Sequence, residues 1–302
     1  MKAAIRLLHT LLLPDFPSAS AVEYFEDRLY LVGDDATCIM VLDRDYGLIK
    51  SIPVIAAPGK RIPKKEKPDF EASALIQLHG KHYLMASGSL ATEKRQKILL
   101  VALEEEATTV QHLDYPGSFI AQLLASGINE LNIEGATVVG SRLLLSNRGN
   151  DTFPVNQLIV TCNGFWESVV PDQLSVLPLT LLTSTPVFAG VSELCYVPGM
   201  DLLLCTLSSE ATTNAYDDGA IGDSYIGWIS NISQKLSGTS LVIEEWLNLS
   251  TAHPAFNTEK IEGICLESTT DNTLLLHLVS DNDGGESRLF KVALTFTPNE
   301  AA

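Results

Sequence analysis

A ring of five four-stranded blades, the all-β architecture of a five-bladed β-propeller, is what this 302-residue sequence predicts. Three observations predict it. One strand pattern recurs five times, its starting residues lie 51, 63, 59 and 69 residues apart, and the interval from the last copy round to the first is 60. Self-similarity at a near-constant period marks a repeat architecture. Four strands per unit in a closed radial array is a propeller.

The elements follow in order. AIRLLHTLLL (4–13) has a lysine before it and an apolar run, which loosely imitates a secretory signal. Arg6 and His9 interrupt that run and Pro14, Asp15 and Pro17 follow it, so it reads as a strand. Unit one starts at Ser20 with SAVEYFEDRLYLVGDD and continues through CIMVLD and LIKSIPVI. Unit two starts at Glu71 with EASALIQLHGKHYLMASG, then KILLVAL and TTVQHLDY. Unit three starts at Glu134 with EGATVVGSRLLLSNRGN, then QLIVTC and LSVLPLTLL. Unit four starts at Glu193 with ELCYVPGMDLLLCTLSSE, then YIGWIS and SLVIEEWLNL.

Unit five starts at Glu262 with EGICLESTTDNTLLLHLVSDND and ends on RLFKVAL, one strand short. The N-terminal strand is expected to supply the missing one and close the ring. Strand length, β-branched content and turn residues favour strands throughout, and no long segment has helical periodicity. Six blades are the alternative, for which only DYPGSFIAQLLASGINELN (114–132) offers room. Residues 1–302 are read as a single domain.

Composition narrows the partners. Twenty basic against 37 acidic residues give a formal net charge of −17, which repels nucleic acid and anionic membrane surfaces and attracts cations. Cys38, Cys162, Cys195, Cys205 and Cys265 are widely spaced with no CxxC pair, so a reducing, cytoplasmic setting and no zinc site are expected. No apolar run reaches transmembrane length. A monomer is expected.

Chemistry should gather where the first strands begin, because these line the central channel. Ser20, Glu71, Glu134, Glu193 and Glu262 are therefore expected to converge at one mouth. Converging carboxylates must protonate or share a cation, and Ca²⁺ suits oxygen-only ligands. The other reading is that the glutamates bond to backbone amides in a wet channel. Loops on the same face carry Asp34, Asp35, Asn147, Arg148, Glu210 with the YDDGAIGD insertion, and Asp281 to Asp283. KRIPKKEK (60–67) brings Lys60, Arg61, Lys64, Lys65 and Lys67 there, beside Lys94, Arg95 and Lys97. Such a basic rim either holds a small phosphorylated or otherwise anionic ligand or is a solvated loop. Walker, GxSxG, HExxH and dinucleotide motifs are missing.

At these repeats the sequence resembles the calcium-dependent apyrases, five-bladed propellers that hydrolyse nucleoside di- and triphosphates. SAVEYFEDRLYLVGDD, VSELCYVPGMDLLLCTLSSE and KIEGICLE carry the resemblance. It implies calcium ligation by Ser20, Glu71, Glu134 and Glu262, with the fourth-blade ligand open between Ser192 and Glu193. It also implies that Asp34, Asp35 and Arg148 face phosphates. Ala36 stands where that family has an arginine. The chain is similar, too, to bacterial phytase-like (esterase-like phytase) propellers and to bacterial propellers with no assigned reaction.

Two functions are therefore expected to compete. One is a calcium-dependent phosphohydrolase with Asp34, Asp35 and Arg148 as catalytic residues. Its substrate would be bound by Lys60, Arg61, Lys64, Lys94, Arg95, Asn147 and Asp281. The other is a non-catalytic ligand- or protein-binding propeller with a structural metal.

Overall fold

The computed structural model describes residues 2–57, 59–104, 108–167, 174–211, 214, 220–281 and 285–297. Strand β1 (Lys2–Leu13) leads into blade one, β2 (Ala19–Phe25), β3 (Arg28–Gly33), β4 (Cys38–Asp43) and β5 (Leu48–Pro53). Blade two is β6 (Phe70–Leu78), β7 (Lys81–Gly88), β8 (Lys97–Ala102) and β9 (Val110–Asp114), followed by helix α1 (Gly117–Ala125). Blade three contains β10 (Ile133–Val139), β11 (Arg142–Asn147), β12 (Asn156–Cys162) and β13 (Ser175–Leu181).

Blade four is β14 (Gly190–Val197), β15 (Leu202–Ala211) and β16 (Ala220–Ser230), completed after β17 (Leu241–Ile243) by β18 (Glu245–Asn248). Blade five is β19 (Lys260–Thr270), β20 (Thr273–Asp281) and β21 (Ser287–Thr297), with β1 as its outer strand. β1 runs antiparallel to β21 from Lys2 opposite Thr297 to Leu13 opposite Ser287, so the first strand of the chain locks onto the last. Inner strands β2, β6, β10, β14 and β19 each pack on the next, and β19 packs on β2. The architecture is a five-bladed β-propeller.

Two expectations change. The segment with room for a sixth blade folds as α1, whose Phe119 and Leu123 are buried between blades two and three. Its Phe119 ring stacks on Phe165 with centroids 4.2 Å apart. SLVIEEWLNL, expected as one strand, divides. β17 joins the outer edge of blade three in parallel, Leu179 opposite Leu241, while β18 serves blade four. Glu244 pins the crossing between them, its amide donating to Trp228 O and its carboxylate accepting from Ser230 Oγ at 2.8 Å.

The core lies between blades as five apolar layers. Strand alternation builds two of them at once. On β20, Leu274, Leu276 and Leu278 face blade four, while Val279 faces blade one. A strand covered on both faces has to read as a nearly continuous apolar run, as TLLLHLV does. No helix is long and apolar enough to cross a membrane among the described residues.

Candidate functional site

Every inner strand carries a β-bulge at the same place. The register against the second strand slips between Ala19 and Ala21, Phe70 and Ala72, Ile133 and Gly135, Val191 and Glu193, and Ile261 and Gly263. A bulge inserts an unpaired residue and re-aims its side chain. The extra residues are Ser20, Glu71, Glu134, Ser192 and Glu262. Their convergence is electrostatic as well as positional, since the charges of Glu134 and Glu262 both act on Glu71.

Blade four departs from the expected anchor. Ser192 holds the bulged position, and Glu193 lies one residue on. There the other blades have Ala21, Ala72, Gly135 and Gly263, because adjacent inner strands approach closely. A Cβ on Gly135 would sit 2.6 Å from Glu193 Cα, and one on Gly263 would sit 3.0 Å from Ala21 Cα. Glu193 passes through the space that Gly135 leaves, and its Oε1 accepts from Ala136 N at 2.7 Å and Leu194 N at 2.9 Å. It thus behaves as the backbone-bonding alternative predicts, for one glutamate of the set.

Side chains of the protein already neutralise most of the ring. Arg148 follows β11 and is 5% exposed; it donates to Glu134 and Glu210, each at 3.2 Å, and to Ser208 Oγ at 3.0 Å and Ser192 Oγ at 3.4 Å. Lys260, two residues before Glu262 on the same strand face, reaches Glu262 at 2.8 Å and Glu210 at 3.1 Å. Burial opposes both positive charges, but the surrounding carboxylates outweigh it and hold both groups protonated. Lys67 bonds Asp34 and reaches Asp69 at 2.7 Å, and Arg95 pairs with Asp69 at 2.6 Å.

Glu71 differs from the rest. It has no hydrogen bond or ion pair among the described residues, and burial, then Asp69 and Asp34, push its carboxyl well above the usual range. Burial raises Asp34 to about 7, against the pull of Lys67. Burial likewise raises Glu262 to about 8, against Lys260. Asp34, Asp69, Glu71, Glu134, Glu210 and Glu262 are six carboxylates, against four cations in Lys67, Arg95, Arg148 and Lys260. If all were ionised they would exceed these cations by two; burial instead pushes Asp34, Glu71 and Glu262 toward the protonated form.

Three of these carboxylates cluster where blades one and two meet. One carboxylate oxygen each of Asp34, Asp69 and Glu71 lie within 4.8 Å of one another, and Asp34 Oδ1 is buried without a hydrogen-bond partner. An all-oxygen set of this kind fits a hard divalent cation such as calcium. Ser20 does not compete for it, since its hydroxyl donates to Phe70 O at 2.5 Å.

The remaining candidates separate. Asp35 accepts from Arg61 Nε at 2.7 Å, and exposed Lys60 pairs with Asp15 at 2.6 Å, so neither basic side chain is held for a ligand. Lys64, Lys94 and Arg95 do meet, with Lys65, Lys67, Thr92 and Glu93, around a cavity of about 410 Å³. Lys97 borders a second cavity of about 700 Å³ beside it, with Lys94 and His112. Asn147 is structural, accepting from Asn132 N at 2.7 Å and donating to Glu130 O at 3.1 Å. Asp281 is buried at the end of β20 and its charge acts on Glu262. Asp283 and residues 216–219 of the insertion lie outside the described residues. Sequence reasoning gave no role to Lys260 or Asp69. Their signal was a charged residue two positions before a ring glutamate, which strand alternation puts on the same face.

Comparison with known proteins adds a family and a fold. A model of the "Family of unknown function (DUF6929)" matches residues 15–294. No curated protein matches the chain. The glutaminyl cyclase of Myxococcus xanthus superposes with a TM-score of 0.56 at 10% identity, over 98% of each chain. The PQQ-bound aldose sugar dehydrogenase of Streptomyces coelicolor gives 0.44 at 11% identity, over 97% of this chain and 98% of that one. At such identities the likeness to the cyclase is one of fold, and fold alone does not carry activity.

Proposed function

This chain belongs to the DUF6929 family, and we propose that it is a ligand-binding propeller whose carboxylate mouth takes a divalent cation on Asp34, Asp69 and Glu71. One observation carries the reading: Glu71 is enclosed among negative charges and makes no ion pair among the described residues, Lys67 reaching it only through its longer-range charge. Calcium is the cation the donor set favours. The basic cavity formed by Lys64, Lys65, Lys94 and Arg95 adjoins this cluster through Lys67 and Arg95. An anionic ligand there would be held by ammonium groups beside the cation.

Calcium titration followed by calorimetry and by thermal unfolding tests the proposal. Wild type should release or absorb heat and gain thermal stability, and EDTA should reverse the gain. Glu71→Gln should do neither. A wild type that neither gives heat nor shifts its melting temperature overturns the cation site.

Phosphohydrolysis is the second reading, favoured by the basic cavity beside the carboxylates. A bound calcium ion would supply positive charge to a phosphoryl oxygen. Arg148 is unsuited to hold that phosphate, because its guanidinium is enclosed and engaged by two carboxylates and two hydroxyls. Lys64, Lys65 and Lys94 would bind the phosphate instead. Nucleotides, phytate and simple phosphoesters assayed with calcium should then turn over faster with wild type than with Glu71→Gln. Equal rates leave the binding reading alone in place.

A further inference from the structure

The channel has a second end. Three to four residues beyond the bulges, about 10 Å along strands rising roughly 3.3 Å per residue, all five inner strands line another cavity of about 210 Å³. Its walls are Tyr24 from β2, Leu75 from β6, Val138 from β10, Tyr196 from β14 and Leu266 from β19. Glu23 is the one charged side chain that lines it.

No cation answers Glu23 among the described residues. Its carboxylate accepts one hydrogen bond, from Ser73 Oγ at 3.2 Å. Behind it lies Glu193, 1% exposed, whose Oε2 is buried with no hydrogen-bond partner. The charge of Glu23 acts on Glu193. The other titratable groups that feel Glu23 are the thiols of Cys195 on β14 and Cys265 on β19, both pushed up by burial and hence neutral. At the first mouth Glu134 and Glu262 are ion-paired to cations of the protein; here, among the described residues, no cation lines the cavity, and Arg44 is held outside it by Asp27 at 3.9 Å.

We propose that this cavity is a binding site for an alkylammonium group, with Glu23 as its counter-ion. The size is right for one side chain or a small amine, being below the roughly 300–1,000 Å³ of pockets for drug-sized ligands. Tyr24 and Tyr196 line the cavity, and aromatic rings attract cations over their faces, one face of Tyr24 being stacked on His277 at 5.8 Å. Their hydroxyls donate outward to Asp27 at 2.8 Å and Asp201 at 3.2 Å, which places further negative charge at the rim. Burial raises Glu23 to about 8 in the empty cavity, so an ammonium has to displace a proton there and should bind better as pH rises through that value.

n-Butylamine, a lysine-containing tripeptide blocked at both ends, and n-butanol are the probes, titrated into the full chain and followed by calorimetry. The amine or the peptide should bind wild type, more tightly at pH 8.5 than at pH 6.5, and the alcohol should not. Glu23→Gln should weaken binding at least tenfold, while Glu71→Gln at the other mouth should leave it unchanged. Binding of the peptide without the amine would identify the source as a lysine side chain, and the reverse a free amine. The proposal fails if neither binds, if Glu23→Gln binds equally well, or if wild-type affinity does not rise with pH. Loss in Glu71→Gln alone would move the ammonium to the calcium cluster and overturn this site too.

Discussion

Arg148 is where the candidate site and the fold depend on the same side chain, and Arg148→Met removes its charge while keeping most of its stem. At 3.2 Å from Glu134 and from Glu210, each pair is worth about 5 kcal/mol of Coulomb energy at an effective dielectric near 20, before desolvation is subtracted. Glu210 keeps Lys260 at 3.1 Å, whereas Glu134 keeps only the Asn132 amide at 2.7 Å. A buried charge left without its partner costs about 3–5 kcal/mol. For a chain of this length that lowers the melting temperature by roughly 5–8 °C. Denaturant titration at pH 8 measures the loss directly.

A second substitution identifies its cause. Glu134→Gln in the Arg148→Met background removes the stranded charge and should recover about 1–3 kcal/mol relative to additivity. The deficit of the single variant should also shrink at pH 5, where the bared carboxylates take up protons. A loss below about 1 kcal/mol, or strictly additive variants, would refute the view that Arg148 compensates the ring.

Two more outcomes follow from the same geometry. Asp34 is raised to about 7, Glu262 to about 8 and Glu71 well above its usual value, so the folded chain holds protons that the unfolded chain has already lost. Their contribution is complete below the unfolded carboxyl range, and that of Asp34 and Glu262 disappears as pH rises through 7–8. The urea midpoint without divalent cations should therefore be higher at pH 5 than at pH 8, and an equal or reversed order would refute the assigned shifts. Gly135→Ala puts a methyl group 2.6 Å from Glu193 Cα, a backbone atom of the adjacent blade. Overpacking of this kind costs about 1–3 kcal/mol, read from the denaturation midpoint; a neutral result would mean that the inner strands can separate without penalty.

Much of the wheel was legible. The alternation in TLLLHLV and its counterparts is local, and the spacing of the starting residues gave five units and a closing strand. Helix α1 escaped notice because Phe119 and Leu123 fill a gap between blades with only nine residues, too few for a clear period. SLVIEEWLNL looked like one strand because nothing local records that Leu241–Ile243 pairs with Leu179–Leu181, some 60 residues earlier.

The site divides along the same line. KIEGICLE announced a carboxylate at a strand start, whereas the close approach of inner strands at Gly263 and Gly135 came to light only in the structure. Whether Ser192 or Glu193 enters the ring depends on where the bulge falls against β15, which is a matter of strand pairing. That Lys260, Arg148 and Lys67 already neutralise much of the ring, leaving Glu71 and Glu23 without an ion pair among the described residues, depends on which residues of different blades meet at the axis. Sequence by itself determined the strands, the repeat and the acid-rich channel, because alternation and period are properties of neighbours along the chain. Only the tertiary structure decided which charges are compensated, because compensation is settled by distances of about 3 Å between side chains that mostly come from different strands and loops.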